Sequence, residues 1–380
     1  MEKVKLTDIC DFQGGSQPPK EEWSFDEQEG YIRMLQIRDF TQGERVTPEY
    51  IKISNTTKMC EANDILIARY GASIGKILTG LAGAYNVAIM RTIPDTSRIK
   101  KLYLYYYLKS PYFQNAILNV GSRAAQAGFN KEDLSKLDIE CPELIKQDKI
   151  IAVLEKLECI IEKRKIELSN LDDLIKARFV EMFGSPVSNP MSWEKRTLKE
   201  VCIKLNDGSH FSPESFETGD YKYVTAKNIK FSGFDFSNIT YVPEAVHRPI
   251  FDRCNPEFED VLYIKDGATT GVAIVNTLDE EFTLLSSVAL LKQDRSIMNG
   301  YFLATLLNNK DMYLNIRNNM GGAAITRLTI AKLNAIEIIV PPIELQNQFA
   351  AFVAEVDKSK LMFQKLHQKL NILQQKAGDI

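Results

Sequence analysis

The sequence contains one internal repeat whose unit is about half the chain. The segment NDILIARYGASIGK, which starts at Asn63, resembles EDVLYIKDGATTGV, which starts at Glu259. NVAIMR at Asn86 resembles SVALLK at Ser287, and further blocks match before and after these in the same order. Such a unit is far longer than the roughly 20–50 residues of repeats that stack into solenoids. We therefore expect two copies of one fold, which place two equivalent surfaces in a single molecule.

Length and composition agree with two globular copies. The 380 residues correspond to two or three domains of about 150 residues each, and a hydrophobic content of 44% is enough to form cores. No run approaches the roughly 18 apolar residues of a membrane-spanning helix, and the N-terminal segment lacks the apolar run of a signal peptide. Six scattered cysteines without a C-x-x-C pair favour reduced thiols in the cytoplasm.

The charge balance limits how the chain could bind a polyanion. There are 47 Lys and Arg residues against 50 Asp and Glu residues, a formal net charge of −3. Residues 1–140 carry 18 basic and 18 acidic side chains, and residues 184–340 carry 16 and 19. Nucleic-acid affinity depends largely on cations that neutralise phosphates. We therefore expect the isolated chain to bind nucleic acid weakly and to need partners for tight binding.

Each half begins with about 140 residues of mixed pattern. Short runs rich in Ile, Val, Leu and Tyr alternate with Gly, Asn and Asp turns, which is typical of strands. The predicted strands include 64–68, 87–91, 261–264, 288–291 and 336–340, and the predicted helices are Leu102–Leu118 and its counterpart Tyr301–Arg317. The predicted fold class of each copy is α/β (α+β).

Each half ends in a long segment without Gly or Pro, 147–182 in the first half and 345–375 in the second. Apolar residues recur there with a period of seven, which is typical of coiled-coil helices. We expect the two helices to pack on each other; ordinary packing of an amphipathic helix on a domain is the alternative. The predicted seam residues are Leu154, Leu157, Ile161, Leu168, Leu171, Ile175, Phe349, Phe352, Val356, Phe363, Leu366 and Leu370.

Motifs for catalysis or cofactor binding are incomplete in the sequence. Gly71–Lys76 (GASIGK) is one residue shorter than a phosphate-binding loop, and its counterpart Gly267–Val272 has no lysine. NPEF at Asn255 lacks the second proline of the amino-methyltransferase motif. The three histidines do not form a metal-binding pattern. We therefore expect no catalytic, metal or cofactor site in this chain.

Three blocks carry a resemblance to a known family. They are ILIARYGASIGK from Ile65, the run from Leu134 to Ala177, and the run from Leu333 to Lys360. In this order they resemble the block after the early strands, the central conserved region and the C-terminal conserved region of the specificity subunit of type I restriction–modification systems. That subunit is the component that reads DNA. The resemblance covers essentially the whole chain.

The resemblance implies two target recognition domains joined by two long antiparallel coiled-coil helices. Each domain would read one half of a bipartite DNA sequence whose middle is unread. The predicted boundaries are 1–143 for the first recognition domain, 144–184 for the central helix, 185–190 for a linker, 191–342 for the second recognition domain and 343–380 for the C-terminal helix.

The resemblance also implies partners. These are double-stranded DNA, two modification subunits that methylate adenine, and restriction subunits that translocate and cleave DNA; no membrane is expected. S-adenosylmethionine, ATP and Mg²⁺ are expected on those subunits, and the chain itself is expected to be non-catalytic. Two alternatives stay open: a stand-alone restriction enzyme with an unrecognised nuclease centre, and a coiled-coil scaffold that binds only protein.

Candidate DNA contacts lie on the repeated loops. Arg and Lys pair with guanine, Asn and Gln pair with adenine, and hydroxyls and glycine-rich turns contact phosphates. The candidates in the first half are Gly15, Ser16, Gln17, Arg38, Arg69, Tyr70, Ser73, Lys76, Arg123 and Gln126; those in the second half are Ser209, His210, Lys227, Asn228, Lys265, Thr269, Thr270, Thr326 and Arg327. The side chains differ between corresponding loops, as two different half-sites would require and as drift would also produce.

Overall fold

The structure is a computed structural model that describes residues 3–121, 128–318 and 327–378. The chain forms two compact units. Unit 1 contains residues 1–165 and 365–380, and unit 2 contains residues 166–364.

The first half combines short strands with four short helices and one long helix. Among the described residues the strands are β1 (Lys3–Lys5), β2 (Cys10–Gly14), β3 (Trp23–Ser24), β4 (Tyr31–Leu35), β5 (Tyr50–Lys52), β6 (Met59–Cys60), β7 (Leu66–Ala68), β8 (Ile77–Leu78), β9 (Gly83–Tyr85), β10 (Ile89–Pro94) and β11 (Asp138–Glu140). The helices there are α1 (Ile37–Gln42), α2 (Lys101–Lys109), α3 (Pro111–Gly121), α4 (Lys131–Leu134) and α5 (Leu144–Phe183).

The second half has a similar series of elements. Its strands, again among the described residues, are β12 (Glu194–Thr197), β13 (Cys202–Asp207), β14 (Tyr221–Val224), β15 (Ile229–Lys230), β16 (Gly233–Phe234), β17 (Thr240–Val242), β18 (Val261–Ile264), β19 (Ala273–Val275), β20 (Thr283–Leu284), β21 (Val288–Gln293) and β22 (Glu337–Val340). Its helices are α6 (Leu198–Val201), α7 (Glu244–Arg253), α8 (Gly300–Asn308), α9 (Lys310–Asn318), α10 (Ile330–Asn334) and α11 (Ile343–Gly378).

Both halves contain the same four-stranded sheet. The strand order is β2-β10-β7-β8 in the first half and β13-β21-β18-β19 in the second, and all neighbours in both sheets are antiparallel. A separate antiparallel pair joins β1 to β11, and its counterpart joins β12 to β22. The repeated strand order confirms the prediction of two copies of one mixed α/β fold.

The halves differ in a second sheet. The first half has five strands in the order β3-β5-β4-β9-β6, whereas the second has three in the order β17-β14-β20 and a separate pair, β15 and β16. Both versions keep one parallel pair, β4 with β9 and β14 with β20. The variable part of each copy is therefore built around a common parallel strand pair.

The shared sheet packs against the two helices that follow it. In the first half, Ile67 of the sheet lies in one buried cluster with Leu104 of α2 and Phe113 of α3. In the second half, Tyr263 of the sheet lies in the corresponding cluster with Phe302 of α8. Burying such a side chain stabilises the fold by about 1.5–3 kcal/mol, so this layer supports the shared sheet and the loops that connect its strands.

The helix predicted over Leu102–Leu118 is two helices, and so is its counterpart over Tyr301–Arg317. The first breaks at Ser110 because Pro111, at the first position of α3, has no N–H to continue the bonding of α2. The second breaks at Asn309, whose side-chain oxygen accepts a backbone N–H of α9 at 3.0 Å. Apolar periodicity continues across both breaks, and this is why it predicted single helices.

The two long helices are present as predicted and extend a few residues beyond the segments 147–182 and 345–375 that lack Gly and Pro. α5 has 40 residues and α11 has 36. α5 ends at Phe183, and Gly184 follows with a φ of +73°, the left-handed conformation that commonly ends a helix. No helix within the described residues is long and apolar enough to cross a membrane.

Within unit 2, the end of α5 packs antiparallel against the start of α11. Nζ of Lys360 lies 2.7 Å from Oδ1 of Asp172, and the ring of Phe179 lies 5.6 Å from the ring of Phe349. Residue numbers therefore rise along one helix as they fall along the other. This contact agrees with the antiparallel pair that the family resemblance implied.

Four phenylalanine rings form the centre of this contact. Phe179 and Phe183 of α5 meet Phe302 of α8 and Phe349 of α11, with ring centroids 4.8–5.7 Å apart. All four side chains are buried. The cluster joins both long helices to α8 and the core of unit 2.

The predicted seam residues differ in burial. Leu154, Ile161, Phe349 and Val356 are buried; Leu157, Leu168, Leu171, Ile175, Phe352, Phe363 and Leu370 are half-buried. Leu366 is exposed, which corrects its assignment to the seam, and the buried residues Phe179, Phe183 and Val353 were not predicted. A straight helix drifts by about 20° per heptad from a strict seven-residue repeat, and the buried face shifts accordingly.

Candidate nucleic-acid interface

In the first half, one short segment collects backbone hydrogen bonds from three separate loops. This central segment, residues 84–89, connects β9 to β10. The bonds run from Ser16 N–H to Tyr85 O (3.1 Å), from Asn86 N–H to Leu35 O (3.1 Å) and from Arg69 N–H to Ala88 O (2.8 Å). Three of the loops that carry predicted DNA contacts are therefore held side by side.

The second half repeats this arrangement around its own central segment, residues 283–288, between β20 and β21. The bonds run from Ser209 N–H to Leu284 O (2.7 Å), from Leu285 N–H to Val224 O (3.0 Å) and from Lys265 N–H to Ser287 O (2.9 Å). The same three loops are joined at the same places, so the frame of the candidate interface is duplicated along with the fold.

The loop after the first strand of each shared sheet passes so close to the central segment that only glycine fits. A Cβ atom on Gly15 would lie 2.1 Å from the carbonyl oxygen of Asn86, and one on Gly208 would lie 1.9 Å from that of Leu284. These two glycines correspond in the repeat. Their role is to let Ser16 and Ser209 approach the central segment, which requires a residue without a side chain.

One more backbone contact is repeated at this end of each domain. Tyr70 forms an isolated antiparallel bridge with Gly128, and Asp266 forms the equivalent bridge with Arg327. Gly128 and Arg327 stand immediately after residues 122–127 and 319–326, which contain the predicted contacts Arg123, Gln126 and Thr326 and lie outside the described residues.

The segment GASIGK is the turn of a β-hairpin. It joins β7 to β8, and its counterpart joins β18 to β19. A phosphate-binding loop would instead lead from a strand into a helix, so this turn does not have the topology of a phosphate-binding loop. Lys76 and Thr269 are exposed on these turns, and Ser73 is half-buried.

The predicted contacts divide by exposure. The exposed ones are Gln17, Arg38, Tyr70, Lys76, His210, Lys227, Thr269 and Arg327, and the half-buried ones are Gly15, Ser16, Arg69 and Ser73. Ser209, Asn228, Lys265 and Thr270 are buried. We correct these four, because a side chain enclosed by its own domain cannot reach a DNA groove.

Three of the four buried residues stabilise turns. The Ser209 hydroxyl donates to the carbonyl of Phe211 (2.6 Å), and the Thr270 hydroxyl donates to that of Gly267 (2.7 Å). The side-chain oxygen of Asn228 accepts the N–H of Thr225 at 3.0 Å. Such local hydrogen bonds are typical of Ser, Thr and Asn in turns, and the sequence signal is the same as for a DNA contact.

Lys265 is the centre of a buried ion-pair network. Only 2% of its side chain is exposed, and Nζ lies 3.3 Å from Oδ2 of Asp207 and 2.8 Å from Oδ2 of Asp266. Each carboxylate also contacts an exposed predicted residue: His210 Nε2 lies 3.2 Å from Asp207, and Arg327 Nε lies 3.3 Å from Asp266. The network therefore holds His210 and Arg327 in place at the surface, and Asp266 neutralises part of the charge of Arg327.

The first half has different chemistry at the equivalent position. Arg69 corresponds to Lys265 in the repeat, and its Nε donates to the carbonyl of Phe129 at 3.2 Å. Its guanidinium carbon lies 5.1 Å from the ring centroid of the exposed Tyr70. Arg38 forms an ion pair with Glu49. The cations at this end are thus partly paired with groups of their own domain.

Sequence reasoning missed one exposed aromatic residue at the second interface. Phe211 follows His210 and is 63% exposed, and its backbone N–H donates to the Ser209 hydroxyl at 3.3 Å. A phenylalanine can contact the methyl group of thymine. Its position two residues after the matched Gly-Ser pair was the available signal.

The part of the chain that the structure describes shows no metal-binding cluster, and Cys10 and Cys254 are deeply buried. No group of three His, Cys, Asp or Glu side chains there could hold a metal ion. Burial raises the pKa of Cys10 and of Cys254 to about 12, so both thiols are protonated at neutral pH. Asn255 of the NPEF segment accepts a hydrogen bond from Lys204 at 2.7 Å.

Comparison with known proteins identifies a family. Residues 1–170 and 190–373 match the family described as type I restriction modification DNA specificity domain. The MjaVIII type I restriction enzyme specificity subunit of Methanocaldococcus jannaschii is 21% identical over 372 residues, which is 94% of this chain and 86% of that protein. The putative MjaX specificity subunit of the same organism is 22% identical over 290 residues, 72% of this chain and 64% of that protein.

Solved structures share the fold. The S subunit of a type I restriction–modification system from M. genitalium is 16% identical with a TM-score of 0.52, covering 99% of this chain and 94% of that one. A chain from work on complex assembly and conformational transition of the type I system is 19% identical with a TM-score of 0.60, covering 100% and 96%. With a family match across both halves and a duplicated fold, this chain belongs to the type I restriction–modification DNA specificity family.

Proposed function

We propose that this chain reads a bipartite DNA target for a type I restriction–modification complex, one half-site per recognition domain. The observation that carries the proposal is the convergence of three corresponding loops on the central segment of each domain. The hydrogen bonds to the central segments are the same in both halves, whereas the exposed side chains differ, as Gln17 and His210 do. A common frame with different side chains suits two different half-sites.

The exposed side chains supply both kinds of contact that DNA reading needs. Lys76 and Lys227 are exposed cations suited to phosphates, which set the position of a domain on the duplex. Gln17, His210 and Arg327 carry donors or acceptors suited to base edges in the major groove. We propose this division of roles for the two interfaces.

We propose that partner subunits supply catalysis and the cofactors that it needs. Members of this family assemble with methyltransferase and restriction subunits, and we propose two modification subunits per chain. S-adenosylmethionine, ATP and Mg²⁺ would bind to those subunits, and the complex would act in the cytoplasm. The almost equal numbers of basic and acidic residues in each recognition domain support DNA binding to which the partner subunits also contribute. The comparisons lend no support to a stand-alone restriction enzyme.

The test is the pattern of adenine methylation in host DNA, read by single-molecule sequencing with and without this gene. We expect one motif made of two short half-sites around an unread spacer to be methylated only when the gene is present. The modification gene is kept intact in both strains as a control. A methylation pattern that does not change with the gene, or a lost motif that is continuous, would contradict the proposal.

A further inference from the structure

The first long helix begins with a buried glutamine that is tied to the recognition domain before it. Gln147 is fully buried. Its side-chain oxygen accepts the N–H of Lys100 (2.8 Å), and its side-chain nitrogen donates to the carbonyls of Arg98 (2.8 Å) and Pro142 (2.8 Å). The amide thus bonds with the loop that precedes α2 and with the chain that enters α5.

The second long helix begins in the same way. Gln346 is also fully buried. Its side-chain oxygen accepts the N–H of Asn299 (2.9 Å), and its nitrogen donates to the carbonyls of Ile297 (3.0 Å) and Pro341 (2.7 Å). All six partner positions correspond in the repeat, so we name the two sites together the glutamine latch, with Gln147 and Gln346 as its residues.

A second contact lies beside each latch residue. Nζ of Lys100 lies 3.2 Å from Oδ1 of Asp148, and the side-chain nitrogen of Asn299 donates to the side-chain oxygen of Asn347 at 2.9 Å. Lys100 and Asn299 are the residues that precede the first turns of α2 and α8. The same connection is thus made by an ion pair in one half and by two amides in the other.

The hydrogen bonds of the glutamine latch fix the orientation of each long helix relative to the domain before it. Each amide uses its oxygen and both N–H groups, three of the four hydrogen bonds that a glutamine amide can make, and hydrogen bonds are directional where apolar contacts are not. The latch residues lie in the first turn of a long helix, where a small change in angle moves the far end of the rod by a large distance. Neither glutamine is exposed to DNA or to a partner.

We propose that Gln147 and Gln346 are positioning residues: each fixes the direction in which a long helix leaves its recognition domain, and together they set the length of the spacer between the half-sites. The inference rests on the proposed function. One base pair changes the separation of two half-sites by about 3.4 Å and also turns one relative to the other, so spacer selectivity demands a rigid connection.

The test uses the full chain in complex with its modification subunits. Its substrates are duplexes that carry both half-sites with the natural spacer, or with one or two base pairs added or removed. We measure adenine methylation rates for the wild type, Gln147→Met and Gln346→Met, since methionine has a similar shape and cannot make the three bonds. We expect the preference for the natural spacer over one longer by a base pair to fall about tenfold, with the base preference of each half-site unchanged.

Two further variants separate positioning from stability. Ile117→Ala removes a buried core side chain of α3 far along the chain from the latch, and it should lower the melting temperature while keeping the wild-type spacer preference. Asn347→Ala removes only the exposed neighbouring contact, and it should fold and weaken the preference by about threefold.

Unchanged spacer preference in folded latch variants would overturn the inference, and so would an equal loss in Ile117→Ala. If the latch variants do not fold, an unchanged preference in Asn347→Ala would overturn it. A wild-type complex that methylates without regard to spacer length would instead overturn the proposed function.

Discussion

At the scale of single residues, the two halves use one frame with different chemistry. Arg69 is half-buried and bonds with a backbone carbonyl, whereas its counterpart Lys265 is enclosed with two carboxylates. Both were equally good DNA contacts by residue type and by position in the repeat. Burial decides whether such a residue is structural or can contact DNA. The burial of Lys265 depends on Asp207, which lies at the end of another strand and is close only in the folded structure.

Lys265→Met tests the structural role of this lysine. The change leaves Asp207 and Asp266 close together without their cation, and breaking a buried ion pair in this way costs about 3–5 kcal/mol. We expect a clear fall in the midpoint of urea unfolding. The control is Lys227→Met at an exposed position, which should change stability by less than about 0.5 kcal/mol. If Lys265→Met were as stable as the wild type and lost DNA binding, our correction of Lys265 would be wrong.

At the scale of elements, the decisive contact is the packing of the long helices on the domain of unit 2. The heptad pattern predicted two long helices, and the structure adds the rings of Phe179, Phe183 and Phe302 as the point where they join the domain. This cluster draws residues from three helices that are distant in sequence.

Phe349→Ala tests how much that cluster contributes to stability. Phe349 is fully buried, and replacing a buried phenylalanine with alanine costs about 3–5 kcal/mol through lost burial and a residual cavity. Leu361→Ala on the same helix removes a side chain that is 52% exposed, and it should cost less than about 0.5 kcal/mol. The measurement is the urea midpoint of both variants. Equal midpoints would mean that the cluster does not hold the helices to the domain.

Sequence reasoning predicted the elements better than their ends and contacts. The strand at Val261–Ile264 was predicted with its observed bounds because a short apolar run between turn residues is a local signal. The break at Asn309 was missed because a capping side chain interrupts no apolar pattern. Leu366 is exposed although Phe363 and Leu370 of the same pattern are half-buried, so the period of seven does not predict the burial of each member.

The sequence predicted which loops form the candidate interface but not which of their side chains are exposed. The loops around Ser16 and Arg69 were identified because their blocks repeat, and the structure brings them together at residues 84–89. The burial of Asn228 and Thr270 could not be predicted, since polar residues in turns carry the same pattern whether they face solvent or bond with their own backbone.

At the scale of the whole molecule, the internal repeat and the nearly neutral charge are both consistent with DNA binding that is shared with partner subunits. Two domains with one frame can read two half-sites, and neither needs a strong positive charge if the partner subunits contribute to the grip on the phosphates. We propose that a few exposed side chains in each domain determine the sequence preference, and that the two domains read DNA independently.

An exchange of one recognition domain tests whether the two domains read DNA independently. Residues 1–143 are replaced by the corresponding segment of another member of the family, and the methylated motif is determined by single-molecule sequencing of host DNA that contains the complete complex. We predict that one half-site changes and the other is retained. A motif that stays the same, or one in which both half-sites change, would contradict the account.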